Sequence, residues 1–102
     1  MHETVLKMVR ARLNRMYAGG QYAGQYAQTD GFDEYVRARI SAAEDELRGM
    51  GITLDGSPAD IMLLTDYVCW QYANRDKNED NPAWLRRRLG DRWLREVRHF
   101  DT

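Results

Sequence analysis

The segment from Ile61 to Tyr72 constrains the fold most, because it is apolar on most sides of a helix in a chain whose residues are 30% charged. A helix that is apolar around most of its circumference has to be buried by other elements. Ser57 is a preferred N-cap residue, Pro58 suits the first helical position, and Asp60 lies near the positive end of the helix dipole. The sequence therefore predicts a central helix that begins at Ser57 and Pro58 and is surrounded by the rest of the chain.

Two earlier segments place apolar residues at the spacing of a helical stripe. The first predicts a helix from about Glu3 to Tyr17, and its stripe consists of Val5, Val9, Leu13 and Met16. The second predicts a helix that begins near Asp30 or Asp33 and ends at Gly49 or Gly51. Its stripe consists of Val36, Ile40, Ala43, Leu47 and Met50. Residues 52–56 are too short for a strand and are predicted to form a packed connector that ends in a turn.

A fourth helix is predicted over residues 82–100, with Asn81 as its N-cap and Pro82 as its first residue. Its expected buried stripe consists of Leu85, Leu89, Trp93, Val97 and Phe100, and Trp84 is expected in the core as well. Arginines occupy the remaining positions of this helix. The sequence thus predicts one all-α domain over residues 1–102, either a small four-helix bundle or three helices with a mobile terminal helix.

The stretch "GGQYAGQYAQTDG" at residues 19–31 interrupts this pattern and predicts a long flexible Gly/Gln/Tyr loop over 18–31. Tyr22 and Tyr26 are candidate contact residues, because tyrosine offers a large contact area with few torsions to immobilise. Two interpretations remain open for this loop. It is disordered in the free chain, or it also becomes ordered against a neighbouring molecule.

The charges are unevenly distributed along a chain whose net charge is only −1. Residues 1–17 carry +3, residues 30–60 carry −5, and residues 82–102 carry +3. Two explanations remain open: the opposite charges pair within the chain, or a basic face from the first or fourth helix meets the acidic second helix of a neighbour.

Patterns that would indicate chemistry are not found. His2 and His99 lie at opposite ends, and Cys69 sits among large apolar residues, which predicts a small buried side chain rather than a nucleophile. Residues 76–81 begin like a calcium loop, but Asn81 stands where the glycine is required. The sequence therefore predicts no catalytic residue, no metal, no cofactor and no membrane segment. The single cysteine is what a reducing cytoplasm favours.

The arginines of the fourth helix allow three interpretations. They form a solvated surface, they contact the phosphates of a nucleic acid, or they dock onto an acidic protein surface. The slightly acidic net charge argues against nucleic acid.

The run "GITLDGSPADIMLLTDYVCWQYANRDKNEDNPAWLRRRLGDRWLRE" resembles the head–tail connector (adaptor) proteins of long-tailed bacteriophages and related prophages. The likeness lies in the order of its features: a Gly-Ile end to the second helix, a Ser-Pro start to an apolar helix, and Pro-Ala-Trp-Leu at the start of an arginine-rich last helix. The likeness also includes residues of the apolar helix, namely Asp66, Tyr67 and Trp70, and the pair Arg75 and Asp76 at its end. Residues 18–29 depart from the family, in which the first two helices are joined more tersely.

The resemblance implies a structural protein without enzymatic activity. Such subunits form a ring, with dodecameric symmetry, beneath the portal protein at the head–tail interface of the virion. The ring extends the channel, through which DNA passes without sequence-specific binding, and offers a surface to the stopper or tail-completion protein. The free subunit is expected to be monomeric in the host cytoplasm during assembly. The family also suggests that the C-terminal region grips the portal, which makes the docking candidates Arg86, Arg87, Arg88, Arg92 and Arg95. The alternative is a small helical nucleic-acid-binding packaging or regulatory protein.

Overall fold

The computed structural model describes residues 1–16, 31–77 and 79–101, and the side chains of all of these except 14–16 and 99–101. Four helices contain most of them: α1 (His2–Met16), α2 (Phe32–Gly49), α3 (Pro58–Ala73) and α4 (Ala83–Asp101). The described ranges contain no strand, which confirms the all-α prediction. The predicted loop contacts, Tyr22 and Tyr26, lie outside the described residues.

Helix α3 is the central element, as its apolar sequence predicts. It begins at Pro58, and the hydroxyl of Ser57 accepts a hydrogen bond from the backbone N–H of Asp60 at 3.3 Å. It contacts each of the other three helices. Cys69 is buried in this helix, and the burial raises the pKa of its thiol. The predicted start, the predicted burial and the predicted role of Cys69 as a small buried residue are all confirmed.

Helices α1 and α2 pack their predicted stripes against α3 and against each other. The stripe residues that lie in the core are Val5, Val9, Leu13, Val36, Ile40, Ala43 and Leu47. Leu6 and Phe32 join the core beside them. The side chain of Met16 is outside the described set, and Met50 is exposed, so its place in the predicted stripe is wrong.

The end of α2 explains why Met50 leaves the core. Gly51 adopts a left-handed conformation with φ of +90°, its N–H bonds to the carbonyl of Arg48 at 3.0 Å, and the N–H of Ile52 bonds to the carbonyl of Leu47 at 2.9 Å. These two bonds define a Schellman motif, which reverses the chain immediately after the helix. The reversal buries Ile52 instead of Met50.

Helix α4 occupies a separate position. Among the described helices it contacts α3 alone, whereas α1, α2 and α3 all contact one another. Arg12 of α1 and Arg88 of α4 both pair with Asp66 of α3, so an ionic link connects the two outer helices through the central one. The architecture is therefore a three-helix core with a fourth helix laid on one side of α3.

A buried tyrosine joins α2 to α3. The hydroxyl of Tyr67 donates to the carboxylate of Glu46 at 2.7 Å, and the side-chain amide of Gln71 donates to the same carboxylate at 3.0 Å. Burial raises the pKa of Tyr67 to about 12, and the hydrogen bond to Glu46 acts in the same direction. The folded chain therefore holds this proton more tightly than the unfolded chain does.

This difference predicts a loss of stability in alkali. The unfolded chain releases the Tyr67 proton near pH 10, and the folded chain releases it near pH 12. The stabilisation is complete below about pH 10 and is lost as the pH rises toward about 12. Urea unfolding should show a steeper decline over this interval for the native chain than for Tyr67→Phe. Equal slopes for the two proteins would contradict the assignment.

The turn at Gly51 predicts a specific cost for a side chain. A Cβ at this position would lie 3.1 Å from Nε1 of Trp93, in addition to the strain of φ +90°. Gly51→Ala should lower the free energy of unfolding by about 2 kcal/mol. Gly56→Ala is the control, because Gly56 has φ +79° but no atom within 4 Å of a Cβ. Equal losses of unfolding free energy in the two variants would show that Trp93 does not restrict the side chain at position 51.

Candidate docking surface

Helix α4 buries a different stripe from the one predicted. It begins at Ala83, so Pro82 rather than Asn81 precedes its first residue, and the carbonyl of Pro82 accepts the N–H of Arg86 at 2.9 Å. Leu85 and Leu89 are buried as predicted, but the next buried position is Arg92.

The predicted continuation of that stripe is wrong for a geometric reason. Successive steps of four residues rotate by about 40° each around an α-helix. Trp93 and Val97 have therefore turned away from the side of Leu85. Trp93 is 44% exposed, and Trp84 is 47% exposed. The expectation that both tryptophans lie in the core is incorrect.

Arg92 is buried because Asp60 at the start of α3 pairs with it. Its Nε donates to Oδ1 of Asp60 at 2.8 Å, and its Nη2 donates to Oδ2 at 3.1 Å and to the carbonyl of Thr53 at 2.6 Å. The side chains are 8% and 1% exposed. The hydrogen bonds to Asp60 raise the pKa of Arg92, which keeps the buried guanidinium charged.

Two further residues complete this arrangement. The N–H of Asp55 donates to Oδ2 of Asp60 at 2.9 Å. The carboxylate of Glu96 lies 3.2 Å from Nη2 of Arg92 and accepts the N–H of Thr53 at 2.9 Å. We call these five residues, Thr53, Asp55, Asp60, Arg92 and Glu96, the clamp. The clamp fastens α4 to the α2–α3 connector and to the first turn of α3. Arg92 therefore lacks the exposure that a docking arginine needs, contrary to its predicted position on the surface.

The other four docking candidates differ in their surroundings. Arg88 is partly buried and pairs with Asp66. Arg95 is mostly exposed, and its Nη2 lies 3.9 Å from Asp60, at the edge of the clamp. Arg86 and Arg87 are exposed and form no ion pair with any residue that the structure describes. These two arginines keep the positions on the protein surface that the sequence predicts.

Arg86 and Arg87 belong to a larger surface on the side of α4 that faces away from α3. We call it the outer face, and it consists of Arg86, Arg87, Gly90, Trp93, Leu94, Val97 and Arg98. Arg98 is also exposed and forms no ion pair within the described ranges. Leu94 is 44% exposed, and Trp93 rests one edge of its ring near Gly51. The outer face therefore combines two exposed apolar side chains and the half-buried Val97 with three arginines.

Sequence reasoning missed Gly90 and Leu94 as members of this surface. A glycine inside a helix lowers stability, so the presence of Gly90 already indicated a role other than helix formation. Leu94 gave no such signal, because its exposure depends on how α4 is rotated.

No group of three or more His, Cys, Asp or Glu residues in the described part of the chain is arranged to hold a metal ion. None of the described helices is both long and apolar enough to cross a membrane. Comparison with known proteins finds no matching family model, no matching curated protein and no matching solved structure.

The clamp predicts a large effect of one isosteric substitution. Asp60→Asn preserves the shape of the side chain but removes the carboxylate that binds Arg92 through two hydrogen bonds, so that Glu96 is left to pair with the buried guanidinium. The free energy of unfolding should fall by about 3 kcal/mol, measured by urea titration. Asp91→Asn is the control, since Asp91 is an exposed α4 acid without an ion pair among the described residues. Similar stabilities for the two variants would contradict the structural role of the clamp.

Proposed function

We propose that this chain is a head–tail connector (adaptor) subunit, a structural virion protein that assembles as a ring beneath the portal. The ring extends the DNA channel and provides the docking surface for stopper or tail proteins. The four-helix all-α architecture agrees with the fold that the sequence resemblance implies. The observation that carries the docking role is the outer face of α4, with arginines that have no ion pair among the described residues.

The internal ion pairs support α4 rather than α1 as the basic docking element. Arg10 lies 3.4 Å from Asp33, and Arg12 pairs with Asp66, so both described arginines of α1 are occupied within the chain. Four of the five acids of α2 are similarly occupied, since Asp33 pairs with Arg10, and Glu44, Asp45 and Glu46 pair with arginines of α2. Internal pairing thus accounts for much of the charge segregation along the sequence, and the outer face of α4 is left for a partner.

A cationic outer face also fits a subunit that stays monomeric until it reaches the portal. Two free copies that approach through this face bring arginine against arginine, which opposes association. An acidic surface on the portal removes that repulsion and attracts the subunit over a distance of about one Debye length, about 8 Å at physiological salt. In this proposal the subunit acts by position alone, and no covalent bond forms or breaks.

The proposal predicts a loss of portal binding when the arginines are reversed in charge. Electron microscopy of the purified protein mixed with its cognate portal should show an added density layer. The double variant Arg86→Glu/Arg87→Glu should reduce occupancy of the vertex by at least about tenfold. The control is Lys7→Glu/Lys77→Glu, which makes the same charge change at two exposed lysines outside α4.

Three results would contradict the proposal or part of it. A vertex left bare by the native protein would overturn the connector function. Equal occupancy by native protein and Arg86→Glu/Arg87→Glu would remove the arginines from the contact. Tight binding of duplex DNA that weakens steeply with salt, and is lost in the same double variant, would favour the nucleic-acid alternative.

A further inference from the structure

The outer face of α4 contains a glycine for which the folded chain gives no internal reason. Gly90 lies in the interior of a 19-residue helix, and a Cβ at this position would meet no atom within 4 Å. Its backbone is not left-handed, so any residue except proline would fit the conformation. Alanine there would stabilise the helix, because glycine is a poor helix former. Nothing within the described chain therefore explains the glycine, whereas close approach by another molecule would.

The neighbours of Gly90 show what kind of molecule would approach. At 100° per residue, Trp93, Leu94 and Val97 lie on the same side of α4 as Gly90. Two adjacent helices can approach most closely where a small residue separates larger ones, since side chains at the contact set the interaxial distance. A glycine followed by exposed apolar residues along one helix face is a surface that another helix can pack against.

The charges around this apolar strip define the chemistry of the partner. Arg86 and Arg87 stand on one side of Gly90 along the helix, and Arg98 stands beyond Leu94. Arg86 and Arg87 also lie close to the N-terminal end of α4, where the helix dipole disfavours positive charge. Among the acids of α4 whose side chains the structure describes, Asp91 is exposed and Glu96 belongs to the clamp. Carboxylates on a partner would relieve the repulsion among the arginines and complement the dipole.

Two other occupants fit this surface less well. A second copy that used the same face would place its arginines against identical arginines. A nucleic acid would gain from the arginines, but its phosphates would gain nothing from burying Leu94 and Val97 or from a close approach at Gly90.

We propose that the outer face of α4 is a docking site for an acidic amphipathic helix of a partner protein, which packs across Gly90 between the tryptophan and the arginines. Trp93 and Leu94 supply the apolar contact, and Arg86, Arg87 and Arg98 pair with the partner's carboxylates. The inference goes beyond the connector function, because it specifies the partner's chemistry and holds whether or not that partner is a portal.

The test measures binding of a synthetic helical peptide with leucines on one face and glutamates on the other. Fluorescence anisotropy of the labelled peptide should rise on addition of the full chain, and a peptide with lysines in place of the glutamates should not bind. Gly90→Ala should raise Tm by about 4 °C, yet weaken peptide binding by about tenfold. A variant that is more stable but binds the peptide more weakly would show that Gly90 serves contact with a partner rather than stability of the chain.

Matched controls separate contact from general effects. Gly49→Ala also adds a methyl group to an exposed helical glycine that has no atom within 4 Å of a Cβ, and it should leave peptide affinity unchanged. Trp93→Ala should weaken binding by about tenfold, whereas Trp84→Ala, which removes a similarly exposed tryptophan from the same helix, should not.

Several outcomes would overturn the proposal. These are no binding of the acidic peptide, equal binding of both peptides, or a Gly90→Ala variant that becomes more stable without losing affinity. Dimerisation of the native chain that Gly90→Ala abolishes would assign the face to a second copy instead. Because the assay uses the free chain, a bare portal vertex would refute the connector function without affecting this result.

Discussion

The ion pair between Asp60 and Arg92 determines where α4 lies and which side of it faces solvent. Helix α4 contacts α3 alone among the described helices, and among its described side chains Leu85 and Leu89 are the only buried apolar ones. Such a small apolar contact leaves the rotation of a helix about its axis weakly defined. The two hydrogen bonds from Arg92 to Asp60 fix that rotation, because both form only when the guanidinium and the carboxylate are aligned. With Arg92 directed inward, Trp93 and Leu94 have to face outward.

A buried ion pair at this position has a function that an apolar pair would not fulfil. Well-packed hydrophobic residues of similar volume are often as stabilising as a buried ion pair, or more so. An apolar residue at position 92, however, would allow two nearly equivalent orientations of α4 on α3. In one of them residue 92 is buried, and in the other the adjacent Trp93 is buried. Burial of Trp93 would turn Arg86 and Gly90 toward α3 and remove the outer face. We infer that the clamp is kept for the orientation that it imposes on α4.

The sequence predicted those elements whose causes are local. The Ser57 cap acts within one turn, and the stripe of α2 is correct up to Leu47. The predicted burial of Met50 was wrong because the turn at Gly51 reverses the chain and buries Ile52 instead. The clamp joins residues that are 32 positions apart, so neither periodicity nor capping rules could reveal it. An acid in the first turn of a helix is already explained by the helix dipole, and this explanation concealed the role of Asp60. The exposure of Arg86 and Arg87 was predictable because it needed only their helical spacing from Leu85 and Leu89.

The glycines at 51 and 90 illustrate how structural and functional constraints differ. Gly51 satisfies two requirements inside the chain, a left-handed turn and the proximity of Trp93, so its identity follows from the fold. Gly90 satisfies none, and it shares a face with arginines that oppose the helix dipole and with a half-exposed tryptophan. Gly90 and the two arginines near the N-terminal end of α4 lower the stability of the free chain, and the exposed part of Trp93 contributes nothing to it. Natural sequences break local rules mainly at functional sites. All of these unfavourable features lie on one side of α4. On the opposite side, the buried charge of Arg92 is paired with Asp60 and Glu96. This asymmetry is the physical reason to regard the outer face as a site of interaction.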